Sequence, residues 1–230
     1  MALSEEIVPL RGTIYIMRRL VIILLLFLIS TPAFAMTIDD FSSYKTDRLP
    51  ALWRTWPFQR GKAKEVYFVK EENGKKHLAA DDEHGASIQI LRDFDWKLDY
   101  YPILSWKWRA RKLPVGANET NSATNDSACG VYAVISKARQ EMIKWTWSTT
   151  TPVGTVYEKK PGKAYIIAID SGPAKLNTWQ ERKVNVKEEY KKYFREDLDK
   201  NPVGIAILTD GNATNSPAAC DYADFRISGE

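Results

Sequence analysis

Short runs of β-branched and aromatic residues, separated by turn residues, constrain the fold of this chain more than any other feature. Ten such runs recur between residues 65 and 228, at 65–70, 76–80, 87–91, 103–109, 130–137, 142–148, 164–170, 178–186, 203–209 and 222–228. Asn73-Gly74 stands between the first two runs, and this dipeptide is typical of a two-residue hairpin turn. About ten short strands predict an all-β fold, a two-sheet β-sandwich of the jelly-roll type.

One segment departs from this strand pattern. In Lys187 to Leu198, the residues Tyr190, Phe194 and Leu198 recur at intervals of four, and Lys and Glu fill the opposite side. This spacing predicts one short amphipathic helix that lies on the β core.

The amino-terminal segment has the three parts of a secretory signal peptide. Arg18 and Arg19 precede an apolar run over 20–30, and small residues follow up to Ala35. A run of about ten residues is too short to span a bilayer, which requires roughly 20. We expect cleavage after Ala35 and a periplasmic or secreted bacterial protein, and Met17 is an alternative start codon.

The predicted mature chain is a single β-sandwich domain over 36–230. Removal of 1–35 takes three arginines and two glutamates from 33 basic and 29 acidic residues, which leaves a net charge of +3 on 195 residues. So small an excess of positive charge argues against nucleic acid as a partner. No membrane span is expected after cleavage, and we expect a monomer.

Two cysteines, Cys129 and Cys220, are present in the whole chain. Export would place them in an oxidising compartment, where they can form a disulfide. The alternative is two buried free thiols, which pack as small hydrophobic side chains.

Eight tryptophans are the most informative excess in the composition. Strand alternation places Trp106 and Trp108 on one face of their strand, and Trp145 and Trp147 on one face of theirs. The four indoles belong either to the sandwich core or to a platform that stacks on sugar rings. Three others in turn-rich segments are further platform candidates: Trp53, Trp56 and Trp96.

The opposite faces of these two strands are cationic. Lys107, Arg109 and Arg111 alternate with the first pair of tryptophans, and Lys144 alternates with the second. Such a row is either a solvated face or a binding surface for an anionic glycan, because arginine pairs bidentately with carboxylate and phosphate. If the row binds a ligand, Lys107, Arg109 and Lys144 are expected to contact it beside the four tryptophans.

Acidic and amide side chains gather in the predicted turns. Oxygen ligands from several loops are what Ca²⁺ requires. The candidate ligands for a structural calcium ion are Asp39, Asp40, Asp210, Asn212 and Asp224. Turn formation alone accounts for the same residue types.

Catalysis has little support in the sequence. His77 and His84 are the two histidines, and neither stands in a zinc-binding or nucleophile motif. Hydrolysis of a glycoside requires only a pair of carboxylates, which sequence spacing does not reveal.

Five stretches give the chain its resemblance to a family, the bacterial secreted domains of unknown function 3047. They are Leu104-Ser-Trp106-Lys-Trp108, Asn125-Asp-Ser-Ala-Cys-Gly-Val-Tyr132-Ala-Val134, Trp145-Thr-Trp147-Ser, Gly204-Ile-Ala-Ile-Leu-Thr-Asp210 and Tyr222-Ala-Asp224-Phe225-Arg226. The resemblance implies that an arginine common before the Val-Tyr strand is replaced here by Gly130. The chain ends also resemble galactose-binding-like jelly rolls and carbohydrate-binding modules.

Together these features predict an exported, non-catalytic β-sandwich that binds a carbohydrate or a cell-envelope glycan. Two alternatives remain at this stage. One is an envelope structural or interaction protein with no small ligand, and the other is a hydrolase with a carboxylate pair.

Overall fold

Two six-stranded sheets make up the computed structural model, which describes residues 35–230. The first, sheet A, contains β1 (Ala35–Asp39), β2 (Tyr67–Glu72), β3 (Lys75–Asp82), β5 (Ile103–Lys112), β10 (Gln180–Asn185) and β12 (Ala218–Ser228). The second, sheet B, contains β4 (Ile90–Asp93), β6 (Ser127–Ser136), β7 (Glu141–Ser148), β8 (Val156–Lys160), β9 (Ala164–Ser171) and β11 (Gly204–Asp210). The predicted all-β sandwich is confirmed.

The strand order explains why residues far apart in the chain become neighbours. Sheet A runs β10-β5-β12-β3-β2, with β1 also paired to β12, and sheet B runs β4-β11-β6-β7-β9-β8. Every pair is antiparallel except β7 with β9. The predicted hairpin at Asn73-Gly74 joins β2 to β3, and both residues adopt positive φ, as this turn requires.

The predicted helix is present as α2 (Val186–Phe194), which ends four residues before the predicted end at Leu198. The Asn185 side chain accepts a hydrogen bond from the Glu188 backbone N–H at 3.0 Å, which caps the first turn. Arg195 has a left-handed φ of 59° and ends the helix. A shorter helix, α1 (Arg60–Val66), was not predicted, because only Ala63 and Val66 are buried and no apolar period marks it.

The core lies between the two sheets and contains all four aligned tryptophans. Trp106 and Trp108 on β5 face Trp145 and Trp147 on β7, with ring centroids 5.7 Å and 6.3 Å apart across the sandwich. All four side chains are fully buried. The expectation that these four indoles form a sugar-binding platform is therefore wrong, since an indole inside the core cannot stack on a ligand.

A disulfide between Cys129 and Cys220 links the two sheets through the core. Cys129 belongs to β6 of sheet B, and Cys220 belongs to β12 of sheet A. The structure thus selects the disulfide over two free thiols.

The predicted signal peptide concerns 1–35, of which 1–34 lie outside the described residues. Ala35, the residue before the expected cleavage point, is the first residue of β1. In the described part of the chain, no helix combines the length and hydropathy needed to cross a bilayer.

Candidate functional site

Each sheet turns one face to the core and the other outward, and the two outward faces are separated by the whole sandwich. Lys107 and Arg109 alternate with Trp106 and Trp108, so they lie on the outer face of sheet A. Lys144 alternates with Trp145, so it lies on the outer face of sheet B. The expectation that Lys144 joins the Lys107–Arg109 row at one ligand is therefore wrong.

The predicted cationic row on sheet A is neutralised by carboxylates from neighbouring strands. Arg109 donates to Asp221 through Nε at 2.9 Å and Nη2 at 2.7 Å, and Arg111 donates to the other oxygen of Asp221 at 2.8 Å. Glu72 also pairs with Arg109, and Asp81 pairs with Arg111. These arginines are therefore held by the protein itself.

Lys107 and His77 on the same face also lie beside carboxylates. Lys107 donates to Asp224 at 2.8 Å, and burial lowers the pKa of His77, which lies 3.8 Å from Asp221. A groove of about 550 Å³ crosses the face and is lined by four carboxylates and three Lys or Arg side chains, together with Thr46 and His77. The groove has no excess of positive charge, and the predicted anionic site at Lys107 and Arg109 is not supported.

The outer face of sheet B differs in charge. It carries a groove of about 270 Å³ lined by Gln89, Tyr132, Gln140, Met142, Lys144, Lys159, Lys160, Ala164, Tyr165, Ile166 and Leu208. Three of these side chains are lysines, and none of the described lining residues is a carboxylate. The floor is apolar and aromatic, so the groove combines a positive rim with a surface that a ring can cover. We take it as the candidate site.

Lys144 is buried on this face, with 4% of its surface exposed. Its Nζ donates to the Ser127 hydroxyl at 2.8 Å and lies 5.4 Å from the centroid of the Tyr132 ring. Burial lowers the pKa of Lys144, against the opposing effect of nearby carboxylates, of which Asp210 is the strongest.

Gly130 makes room for the Lys144 side chain. A Cβ at Gly130 would lie 2.7 Å from Lys144 Cε and 3.0 Å from the Leu208 carbonyl oxygen. The family resemblance implied that an arginine is missing at Gly130. In the structure, Lys144 on the adjacent strand β7 occupies the space beside Gly130.

Asp210 is the carboxylate with the strongest electrostatic effect on Lys144. It is buried at the end of β11, and its Oδ1 has no hydrogen-bond partner. Burial raises the pKa of Asp210, with Lys144 opposing the shift and Asp126 adding to it.

The replacement Asp210→Asn is expected to stabilise the protein relative to wild type as the pH rises above 3.8, the ordinary pKa of the group. Above that value the unfolded chain releases the proton while the folded chain still holds it, so wild type loses stability until the folded pKa is passed. Asn carries no such proton. Urea unfolding at a series of pH values measures the difference, and Asp95→Asn at an exposed position is the control. A constant difference between wild type and Asp210→Asn across this range would contradict the expectation.

The five predicted calcium ligands do not come together. Asp39 accepts from the Phe41 backbone, the Tyr44 hydroxyl and the Trp53 indole, and Asp40 accepts from Ser42. Asp224 pairs with Lys107, while Asp210 and Asn212 belong to sheet B and the loop after it. Within 35–230, no three His, Cys, Asp or Glu side chains are grouped so as to hold a metal. The grouping was wrong, and calcium binding by the chain stays a prediction.

The three additional tryptophan candidates differ in their exposure to solvent. Trp53 and Trp96 are buried, and their indole N–H groups donate to Asp39 and to the Tyr101 carbonyl. Trp56 is 69% exposed. Of these three, only Trp56 can present its ring to a ligand.

Several residues of the groove were not singled out from the sequence: Gln89, Tyr132, Lys159 and Lys160. Tyr132 could have been found, because Cys129 and Val131 alternate with it and face the core. Lys159 and Lys160 lie on β8, a strand that the sequence pattern did not predict. Nothing in the local sequence connects β8 to the edge of sheet B.

Several solved structures are similar to this chain. A family 11 carbohydrate-binding module of a cellulosomal cellulase of Clostridium thermocellum is 8% identical, with a TM-score of 0.44, and covers 87% of this chain and 97% of that chain. A family 29 carbohydrate-binding module from Piromyces equi is 12% identical, with a TM-score of 0.35, and covers 87% and 93%. Endoglucanase 3 of Trichoderma harzianum, from family GH12, is 8% identical, with a TM-score of 0.44, and covers 86% and 98%.

A search of curated proteins finds no match. The family model described as "Protein of unknown function (DUF3047)" matches residues 51–226, well over half of the sequence. The chain therefore belongs to the DUF3047 family.

Proposed function

We propose that this protein is an exported, non-catalytic module that binds an acidic carbohydrate in the groove of sheet B. The observation that carries the proposal is the composition of the groove: two exposed lysines, Lys159 and Lys160, and the buried Lys144 accompany an apolar and aromatic floor, and no lining residue of the described chain is a carboxylate. Lys159 and Lys160 form no ion pair with the described residues, and unpaired positive charge of this kind attracts an anionic ligand.

The lining side chains fit a carbohydrate better than a small inorganic anion. The apolar face of a pyranose ring can lie on Tyr132, Met142 and Ile166, which cover the floor. Gln89 and Gln140 offer amide donors and acceptors for sugar hydroxyls. The ammonium groups of the exposed Lys159 and Lys160 would pair with carboxylates of uronic acids or with phosphates of a cell-envelope glycan.

The disulfide supports the predicted location. Disulfides form and persist in the periplasm and outside the cell, and they are rare in the cytosol. The Cys129–Cys220 bridge thus agrees with export by the predicted signal peptide. Cell-envelope glycans and extracellular polysaccharides are the acidic carbohydrates that a protein in this compartment meets.

Affinity electrophoresis in gels that contain polygalacturonate or alginate tests the proposal, and we expect both polymers to retard the mature protein. The variant Lys159→Glu is expected to weaken binding by roughly tenfold or more, since reversing a charge at the rim changes the interaction by about 1–2 kcal/mol. Lys183→Glu makes the same charge change on an exposed residue of sheet A and is the matched control.

Two results would contradict this expectation. If no acidic polymer retards the wild-type protein, the groove is not a glycan site. If Lys159→Glu and Lys183→Glu weaken binding equally, retardation reflects the net charge of the protein rather than the groove on sheet B.

An envelope structural or interaction protein without a small ligand is the second candidate. The burial of all four aligned tryptophans in the core favours it, because the chain does not use them for binding. The same gels separate the two candidates, since this alternative predicts no retardation by neutral or acidic polysaccharides.

A further inference from the structure

The groove on sheet B lies across the strands and is lined from near one edge of the sheet to the other. Gln89, at one end, directly precedes the edge strand β4, and Lys159 and Lys160, at the other end, belong to the opposite edge strand β8. Five spacings of about 4.8 Å between neighbouring strands give sheet B a width of roughly 24 Å. A single sugar ring covers little more than one of these spacings.

Apolar side chains cover the outer face of sheet B on β4, β11, β6 and β7. A cluster of Tyr132, Val134 and Ala206 covers the outer face of β6 and β11, and Leu91, Leu208 and Met142 pack against it. Ile166 and Ala164 continue the apolar surface on β9 toward β8. An apolar strip across the strands suits a ligand that lies perpendicular to them.

An exposed tryptophan lies at the β4 end. Arg54 and Leu91 exchange backbone hydrogen bonds, both at 2.8 Å, which holds the segment before α1 against the free edge of β4. The Arg54 side chain pairs with Asp93, two residues beyond Leu91 on the same face of β4. The segment that contains Trp56 is thus attached to the edge of the candidate groove.

Trp56 is exposed close to this attachment. It lies two residues beyond Arg54, whose side chain turns outward to Asp93, and 69% of its own surface is accessible to solvent. Trp56 has an extended backbone, with φ −59° and ψ 140°. Leu91, the partner of Arg54 in this bridge, is two residues from Gln89, which lines the groove.

We infer that the ligand is an acidic polymer of several sugar units, which lies across the strands and stacks one ring on Trp56. This inference rests on the proposed function and adds the length of the ligand and a subsite. The exposed lysines of β8 bind the charged groups, and Trp56 supplies the aromatic surface that the buried tryptophans cannot. A ligand of one or two units reaches only one end, and its acidic groups place it at the lysines of β8 rather than at Trp56.

Isothermal titration with oligogalacturonates of two and six units tests the inference. Wild type is expected to bind the hexamer at least tenfold more tightly than the dimer. Trp56→Ala is expected to lose about tenfold in affinity for the hexamer, equal to about 1.4 kcal/mol, and to leave any dimer affinity unchanged. Tyr100→Ala removes another exposed aromatic residue, from the segment before β5 of sheet A, and is the control.

Tryptophan fluorescence gives an independent readout. Six of the eight tryptophans are fully buried, and Trp56 is the most exposed of all. Iodide is therefore expected to quench mainly Trp56, and the hexamer is expected to protect this fraction while the dimer does not. The quenchable fraction should fall sharply in Trp56→Phe. An unfolded variant would instead expose all of its tryptophans to iodide, so this fall also shows that Trp56→Phe is folded.

The outcomes distinguish the inference from the proposed function. If wild type binds neither oligomer, both fail. If wild type binds dimer and hexamer with equal affinity, or if Trp56→Ala binds the hexamer as tightly as wild type, the inference is overturned while the groove remains a glycan site.

Discussion

Removal of the disulfide, by the double replacement Cys129→Ala and Cys220→Ala, is expected to lower the free energy of unfolding by about 4 to 5 kcal/mol. The bridge joins residues 91 positions apart, so it removes much of the conformational entropy of the unfolded chain. It also ties β6 of sheet B to β12 of sheet A through the core, where both cysteines are fully buried. Urea unfolding of the mature protein measures the loss.

Reduced wild-type protein is the matched control for this prediction. Unfolding in urea with a strong reductant breaks the same bond without removing the two sulfur atoms. We expect the reduced wild type to lose nearly as much stability as the double variant. If the oxidised, reduced and double-variant proteins unfold at one urea concentration, the bridge contributes nothing measurable.

Asp221→Asn is expected to lower the free energy of unfolding by about 3 kcal/mol. Asp221 is 1% exposed, and its two oxygens accept three hydrogen bonds from Arg109 and Arg111. Removing one partner of a buried ion pair costs about 3 to 5 kcal/mol, because the remaining charge stays partly desolvated. We expect the lower end of that range, since Glu72 and Asp81 still pair with these arginines.

Asp224→Asn is the matched control, because it makes the same change three residues along β12. The carboxylate of Asp224 is 32% exposed and pairs with the Lys107 side chain, which is 40% exposed. An exposed pair of this kind contributes about 0 to 1 kcal/mol. Equal losses for the two variants in chemical unfolding would show that burial does not set the contribution of Asp221.

Much of the fold can be predicted from local patterns in the sequence. The Asn73-Gly74 turn, the amphipathic period around Tyr190 and most strand positions follow from interactions between residues close in the chain. The strands β1, β4 and β8 were missed or poorly bounded. β4 and β8 are the two edge strands of sheet B, and β1 pairs with β12 alone, so distant strands rather than their own composition hold these three strands in place.

The candidate site was less accessible to sequence reasoning. Lys144 was identified, but it was grouped with Lys107 and Arg109, which lie on the far side of the sandwich. The carboxylates that neutralise Arg109 come from β2 and β12, 37 and 112 positions away in the chain. Residues so far apart in the chain leave no periodic pattern in the sequence that would show they pair. The net charge of each face therefore cannot be predicted from the sequence.

By itself, the sequence determined which side chains share a face, because successive residues of a strand point to opposite sides. It placed Trp106 with Trp108, Trp145 with Trp147, and the basic residues opposite them. A period of two does not say which of the two faces meets the core. Only the stacking of sheet A on sheet B decided that, and it buried the aromatic faces because they remove the most apolar surface from water. That choice left Lys144 on the outer face of sheet B, and Trp56 exposed two residues from the bridge to β4.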